Sequence, residues 1–99
     1  MSKTHLNVSK RFLALGRIPI VIEKDGLIVK KLAYFPESTL MMIRATIPEV
    51  KGYIFFIRTS SDRFIIENAA KRLDMIYDDY KSKHTGYLHL VLVDEPKYG

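Results

Sequence analysis

Two apolar runs on either side of Asp25 and Gly26 form the clearest pattern in the chain. Residues 18–24 place isoleucine at every second position, which is typical of a strand with one buried face. An Asp-Gly pair tolerates the positive φ angles of a type I′ turn, and a second β-rich run follows over residues 27–35. These features predict a β-hairpin. Because Pro19 has no N–H to donate, we expect its strand to lie at a sheet edge.

Helical periodicity marks three further segments. Residues 8–15 predict a short helix, although a strand over the same residues is the alternative. A second helix begins at Pro36 or Ser38 and ends before Pro48, whose ring clashes with the preceding turn. From about residue 60 to 83, apolar residues recur every three or four positions. This last pattern predicts one long helix with a buried stripe.

The remaining segments, residues 52–58 and 87–95, are almost continuously apolar and predict two interior strands covered on both faces. The order of elements is then α-β-β-α-β-α-β. A helical crossover between the last two strands would make them parallel. We therefore predict an α/β fold, with α+β as the alternative. It has a mixed four-stranded sheet, an N-terminal hairpin and a C-terminal parallel β-α-β unit, all in a single domain over residues 1–99.

Composition narrows the class of protein. The chain has 99 residues, of which 47% are hydrophobic, and this is enough for one packed core. It contains no cysteine, which excludes disulfides and thiolate metal sites. It has no apolar run long enough to span a membrane and no apolar signal segment at its start. We expect a cytoplasmic protein with no membrane partner. Abundant Ile, Lys and Tyr are typical of thermostable archaeal or viral proteins, and a viral protein would lie in the host cytoplasm.

The net charge of +5 lies entirely within residues 1–31, which hold seven basic and two acidic side chains. Such asymmetry indicates an anionic partner for the N-terminal third, although a solvated basic surface explains it equally well. Our main hypothesis is a small, non-enzymatic protein that binds nucleic acid or another anionic partner through this third. The expected nucleic-acid-binding residues are Lys10, Arg11, Arg17, Lys24, Lys30 and Lys31.

Two of the predicted strands are apolar on both faces. Two full helices and one short helix would have to cover both faces of a four-stranded sheet. We expect a homodimer to cover the remaining apolar surface. The alternative to nucleic-acid binding is a protein-interaction or assembly subunit that acts through an apolar sheet surface. A small enzyme is a third hypothesis. No motif for a cofactor, a metal or a catalytic set occurs, so we expect no cofactor and name no catalytic residue.

One stretch carries a candidate small-anion site. The hydroxyl-rich segment after the third strand would meet Asp94 and Glu95 at the sheet edge if the last two strands were parallel neighbours. We favour a salt bridge from Arg58 to Asp94 or Glu95 over a ligand site. Thr59 and Asp62 also have the spacing of a helix capping box. The candidate anion-binding residues are Arg58, Thr59, Ser60 and Ser61.

Overall fold

The computed structural model of the protein describes residues 16–94, so the helix predicted over 8–15, together with Lys10, Arg11 and Glu95, lies outside the described residues. A mixed five-stranded sheet in the order β2-β1-β5-β3-β4 is the frame of the fold. The strands are β1 (Ile18–Lys24), β2 (Leu27–Tyr34), β3 (Tyr53–Arg58), β4 (Phe64–Ile65) and β5 (Leu88–Asp94). The helices are α1 (Leu40–Thr46), a 3-10 turn (Pro48–Val50) and α2 (Leu73–Tyr80).

The N-terminal hairpin is confirmed. Strands β1 and β2 pair antiparallel, and the turn between them has positive φ angles of 53° at Asp25 and 80° at Gly26. The edge position predicted for β1 is wrong, because β1 lies between β2 and β5. Its parallel pairing with β5 begins at Ile20, and therefore Pro19 stays outside that ladder and its missing N–H costs nothing there.

The predicted mixed α/β architecture is also confirmed, with five strands instead of four. The parallel pair is β1 with β5, whereas β3 and β5 run antiparallel. The prediction of a C-terminal parallel β-α-β unit is therefore wrong. This prediction fails in the segment after β3, where the chain turns back at once instead of entering a helix.

The turn after β3 replaces the first part of the predicted long helix. The Thr59 N–H donates to the Arg63 carbonyl at 2.8 Å, and the Asp62 N–H donates to the Thr59 carbonyl at 3.0 Å. Asp62 adopts a left-handed φ of 59°, which a helix start does not allow. The Thr59 hydroxyl accepts from the Arg63 N–H, so the predicted capping box is wrong. Helix α2 occupies only Leu73–Tyr80.

The core lies between one face of the sheet and the two helices. Alternate residues of β1, β3 and β5 point into it, and α1 and α2 cover it. Its fully buried residues include Ile20, Ile22, Ile43, Ile57, Leu73, Ile76, Leu88 and Leu90. The remaining alternate positions, Glu23, Arg58 and His89 among them, lie on the opposite face of the sheet. The interior strands are therefore not equally apolar on both sides. Within residues 16–94, no helix is long and apolar enough to cross a membrane.

Candidate functional site

Strand β2 forms one edge of the sheet and carries exposed apolar side chains. Within the described residues it pairs with β1 alone, so its outer backbone groups have no strand partner. Leu27, Ile28 and Val29 are 72%, 57% and 44% exposed. Sheet edges with unpaired N–H and C=O groups readily accept another strand. This edge is therefore a natural place for a polypeptide to bind.

A groove of about 340 Å³ lies beside this edge strand, between β2 and the end of α1. We call it the edge groove. It is lined by Lys30, Leu32, Ala33, Tyr34, Thr46, Ile47, Pro48 and Glu49.

Two polar bridges span the edge groove. Lys30 pairs with Glu49 at 3.1 Å, and the Tyr34 hydroxyl hydrogen-bonds with the Thr46 hydroxyl. The pKa of the Glu49 carboxyl is lowered, first by its own backbone N–H and then by Lys30. The bridges stand four residues apart on β2, or about 13 Å at the usual strand rise. Between them the groove floor is largely apolar.

A second polar feature lies on the sheet face opposite the helices. It is a buried cluster of Glu23 from β1, Arg58 from β3 and His89 from β5. The Glu23 side chain is only 7% exposed. Antiparallel pairing places Arg58 directly opposite His89, and the adjacent parallel pair brings β1 alongside. Arg58 Nη2 donates to Glu23 Oε1, and His89 Nδ1 lies 2.5 Å from Glu23 Oε2. Both carboxylate oxygens thus have partners.

The imidazole of His89 is held in one tautomer. Burial lowers the pKa of His89, the Arg58 charge lowers it further, and the more distant Asp62 opposes them. A neutral ring then donates its Nδ1–H to Glu23, while its Nε2 accepts from the Thr85 hydroxyl at 3.1 Å. The result is a continuous hydrogen-bonded chain from Thr85 through His89 and Glu23 to Arg58.

A hydroxyl, an imidazole and a carboxylate in this order resemble the arrangement that activates a nucleophile. However, the Thr85 oxygen also accepts from the Tyr87 N–H at 3.1 Å. The Thr85 N–H itself is bonded to Ser82 Oγ at 3.3 Å, so these two local N–H groups are not directed at an oxyanion. The arrangement is suited to neutralising a buried carboxylate. Among residues 16–94, no group of three or more His, Asp or Glu is placed to hold a metal ion.

A cleft of about 230 Å³ opens beside His89, between the turn after β3 and the loop after α2. We call it the polar cleft. Every side chain that lines it is polar: Arg58, Thr59, Ser60, Asp62, Ser82, His84, Thr85 and His89.

Three of the four candidate anion-binding residues, Arg58, Thr59 and Ser60, line this cleft, whereas Ser61 does not. The predicted bridge from Arg58 to Asp94 is wrong, because Asp94 pairs with Tyr53 at the opposite end of β3. Sequence reasoning also missed Glu23 as a partner. The sequence did contain a signal for this partner. Glu23 and His89 each interrupt an apolar strand, and both lie on the alternating face that also carries Arg58.

The four basic residues of the N-terminal third that the structure describes each have a local partner. Within the described residues, Lys24 pairs with Asp25 at 3.1 Å and Lys30 pairs with Glu49. Arg17 lies over the ring of Phe35, 4.3 Å from its centroid. Lys31 lies 6.0 Å from the ring centroid of Tyr87. These cations have separate local partners.

The fold that emerges is ubiquitin-like, with a mixed sheet that carries two helices on one face. Among solved structures, the chain is similar to Trypanosoma brucei ATG8, with a TM-score of 0.69 and 18% sequence identity. The similarity covers 100% of this chain and 92% of that one. At this identity it shows the fold. No protein-family model and no curated protein matches the sequence.

This comparison corrects the main functional hypothesis. An ATG8-like fold contradicts the prediction of a basic nucleic-acid-binding protein, and it fits the alternative of a protein-interaction subunit better. The predicted partners, nucleic acid and a second copy of the chain, are wrong for the same reason. The similarity also gives no support to a viral source. The dispersed pairing of Arg17, Lys24, Lys30 and Lys31 agrees with this correction.

Proposed function

We propose that this protein is a non-enzymatic, cytoplasmic interaction domain, one unit over residues 1–99, that binds an extended segment of another protein along β2. The observation that carries the proposal is the position of the edge groove directly beside β2, whose outer edge has no strand partner within residues 16–94. An incoming strand forms backbone hydrogen bonds with the edge, and its alternate side chains enter the adjacent groove. The ATG8-like fold supports the choice of a protein partner.

The chemistry of the groove defines the partner segment. Leu32, Ile47 and Pro48 offer an apolar floor that suits one large apolar side chain. Burial of such a side chain contributes roughly 1.5–3 kcal/mol. Lys30 and the exposed Lys31 on the same strand attract acidic residues that flank this anchor. We therefore expect an extended, acidic segment with one aromatic or large aliphatic anchor.

Selection from a random peptide library tests the proposal, followed by amide NMR titration of a selected peptide. We expect selected peptides to combine an apolar anchor with acidic neighbours. Their binding should shift the amide resonances of β2 and slow hydrogen exchange along that strand. Selection of no peptide, or shifts confined to β3 and β4, would contradict the proposal.

A pair of matched variants locates the binding site. Pro48→Asp places a carboxylate at an exposed position that lines the edge groove, and we expect it to weaken peptide binding at least tenfold. Met75→Asp introduces the same charge at an exposed position on α2, 52% accessible, and should leave binding unchanged. Thermal denaturation of both variants separates a local effect on binding from a loss of folding. Equal weakening by the two substitutions would show that the groove is not the site.

A further inference from the structure

The polar cleft retains hydrogen-bond donors after its internal bonds are made. Within residues 16–94, the Ser60 hydroxyl and the His84 ring have no hydrogen-bond partner. Ser82 Oγ accepts the N–H groups of His84 at 3.2 Å and Thr85 at 3.3 Å. Because both contacts use the oxygen as acceptor, the Ser82 hydroxyl proton remains available for a third group. Among the same described residues, the buried Nε–H of Arg58 also has no acceptor.

The acceptors near the cleft are already occupied or face solvent. Glu23 receives Arg58 and His89 on its two oxygens and is buried behind them. Asp62 is 86% exposed, and its closest approach to Arg58 Nη1 is 3.9 Å, longer than a hydrogen bond. Its carboxylate can therefore turn outward into water. The cleft is then rich in donors and poor in acceptors, which is the environment that an oxyanion requires.

We propose that the polar cleft binds a phosphate group, held by Arg58 Nη1, the His84 imidazole and the hydroxyls of Ser60 and Ser82. A volume of about 230 Å³ accommodates one such group with water. Thr59 and Ser61, which the sequence suggested as ligands, have their hydroxyls 3.2 Å apart and bonded to each other. Inorganic phosphate and a phosphorylated side chain share the required chemistry. This site is separate from the edge groove and does not depend on the proposed function.

Titration with sodium phosphate at constant ionic strength tests the proposal, with amide and imidazole NMR signals as the readout. We expect saturable shifts at Ser60, Ser82 and His84, and none when sodium chloride replaces phosphate. Shifts that grow linearly without saturation, or equal shifts in chloride, would overturn the proposal.

Adjacent residues provide a matched control for charge. His84→Ala removes a hydrogen-bond donor that lines the cleft. Lys83→Ala removes a cation from the same loop, but Lys83 does not line the cleft. We expect His84→Ala and Ser60→Ala each to weaken phosphate binding about tenfold, the loss typical of one hydrogen bond to a charged group. Lys83→Ala should change it less than twofold. An equal loss in the Lys83 and His84 variants would indicate general surface attraction and refute the site.

The source of the phosphate group is distinguished with one serine-containing peptide, prepared with and without phosphorylation. Tighter binding of the phosphorylated form than of inorganic phosphate, with shifts at the same residues, assigns the site to a phosphorylated polypeptide. Equal affinity of the two assigns it to the phosphate group alone. Equal binding of both peptide forms would refute a phosphate site, because the phosphate would then contribute nothing.

Discussion

Replacing Arg58 by Leu should unfold the protein at much lower temperature, because the guanidinium neutralises the buried carboxylate of Glu23. The Glu23 side chain is 7% exposed, and water cannot take over the role of the lost cation. His89 still donates one hydrogen bond to Glu23, but as a neutral ring it supplies no compensating charge. The substitution therefore leaves an uncompensated negative charge inside the sheet face.

The expected loss of stability depends on how deeply Arg58 and Glu23 are each buried. Removing one member of a buried ion pair costs about 3–5 kcal/mol. Arg58 is 34% exposed, so part of its interaction is already screened by water. We expect a loss of roughly 2–3 kcal/mol in the free energy of unfolding. In a domain of this size, that corresponds to a decrease of about 10–20 °C in Tm.

Urea denaturation of a double-mutant cycle measures the interaction. Adding Glu23→Leu to Arg58→Leu removes the stranded charge, so the double variant should be more stable than Arg58→Leu alone. Arg72→Leu is the control, since it breaks the exposed pair with Asp74 and should leave the unfolding midpoint nearly unchanged. Additive losses in the cycle, or a loss below about 0.5 kcal/mol for Arg58→Leu, would refute the assigned role of Glu23.

Three further substitutions test separate parts of the structure. The pKa of His89 in the folded protein lies below its ordinary value of 6.5, so the unfolded chain binds protons more readily. The free energy of unfolding should therefore fall as pH decreases below 6.5. His89→Gln should reduce this pH dependence, as measured by urea denaturation at several pH values. Gly26→Ala should cost about 1 kcal/mol in thermal denaturation, because φ is 80° and nothing lies within 4 Å of the added Cβ. Ile57→Ala, at a residue with no exposed surface, should cost about 2–5 kcal/mol by urea denaturation, and a loss below 1 kcal/mol would contradict its core position.

Local chemistry explains which elements were predictable. The hairpin follows from the alternation of β1 and from a turn dipeptide that tolerates positive φ, and neither depends on distant residues. The helix predicted over 60–83 failed because apolar residues at three- and four-residue spacing also suit a turn, a two-residue strand and a short helix. Pairing of β4 with β3 decides between these possibilities, and that contact depends on tertiary structure.

The polar cluster was hidden for a different reason. Glu23, Arg58 and His89 are 35 and 31 residues apart along the chain, and they meet only in the strand order β1-β5-β3. The sequence predicts four strands in which the last two, now β3 and β5, run parallel. That arrangement would place Arg58 near Asp94 instead. The residues Arg58, Thr59 and Ser60 were correctly placed on one surface because they are consecutive. Their partners could be identified only after the sheet order was known.

The same strand order keeps the two proposed sites physically independent. The edge groove lies beside β2 and the polar cleft beside β3, three strand spacings apart, or about 14 Å. This distance exceeds the Debye length of about 8 Å at physiological ionic strength, so a charge introduced in one site is largely screened at the other. Glu23 contacts both regions, because it pairs with Ile28 at a register shift where Val29 is an extra residue in β2, and it also anchors Arg58.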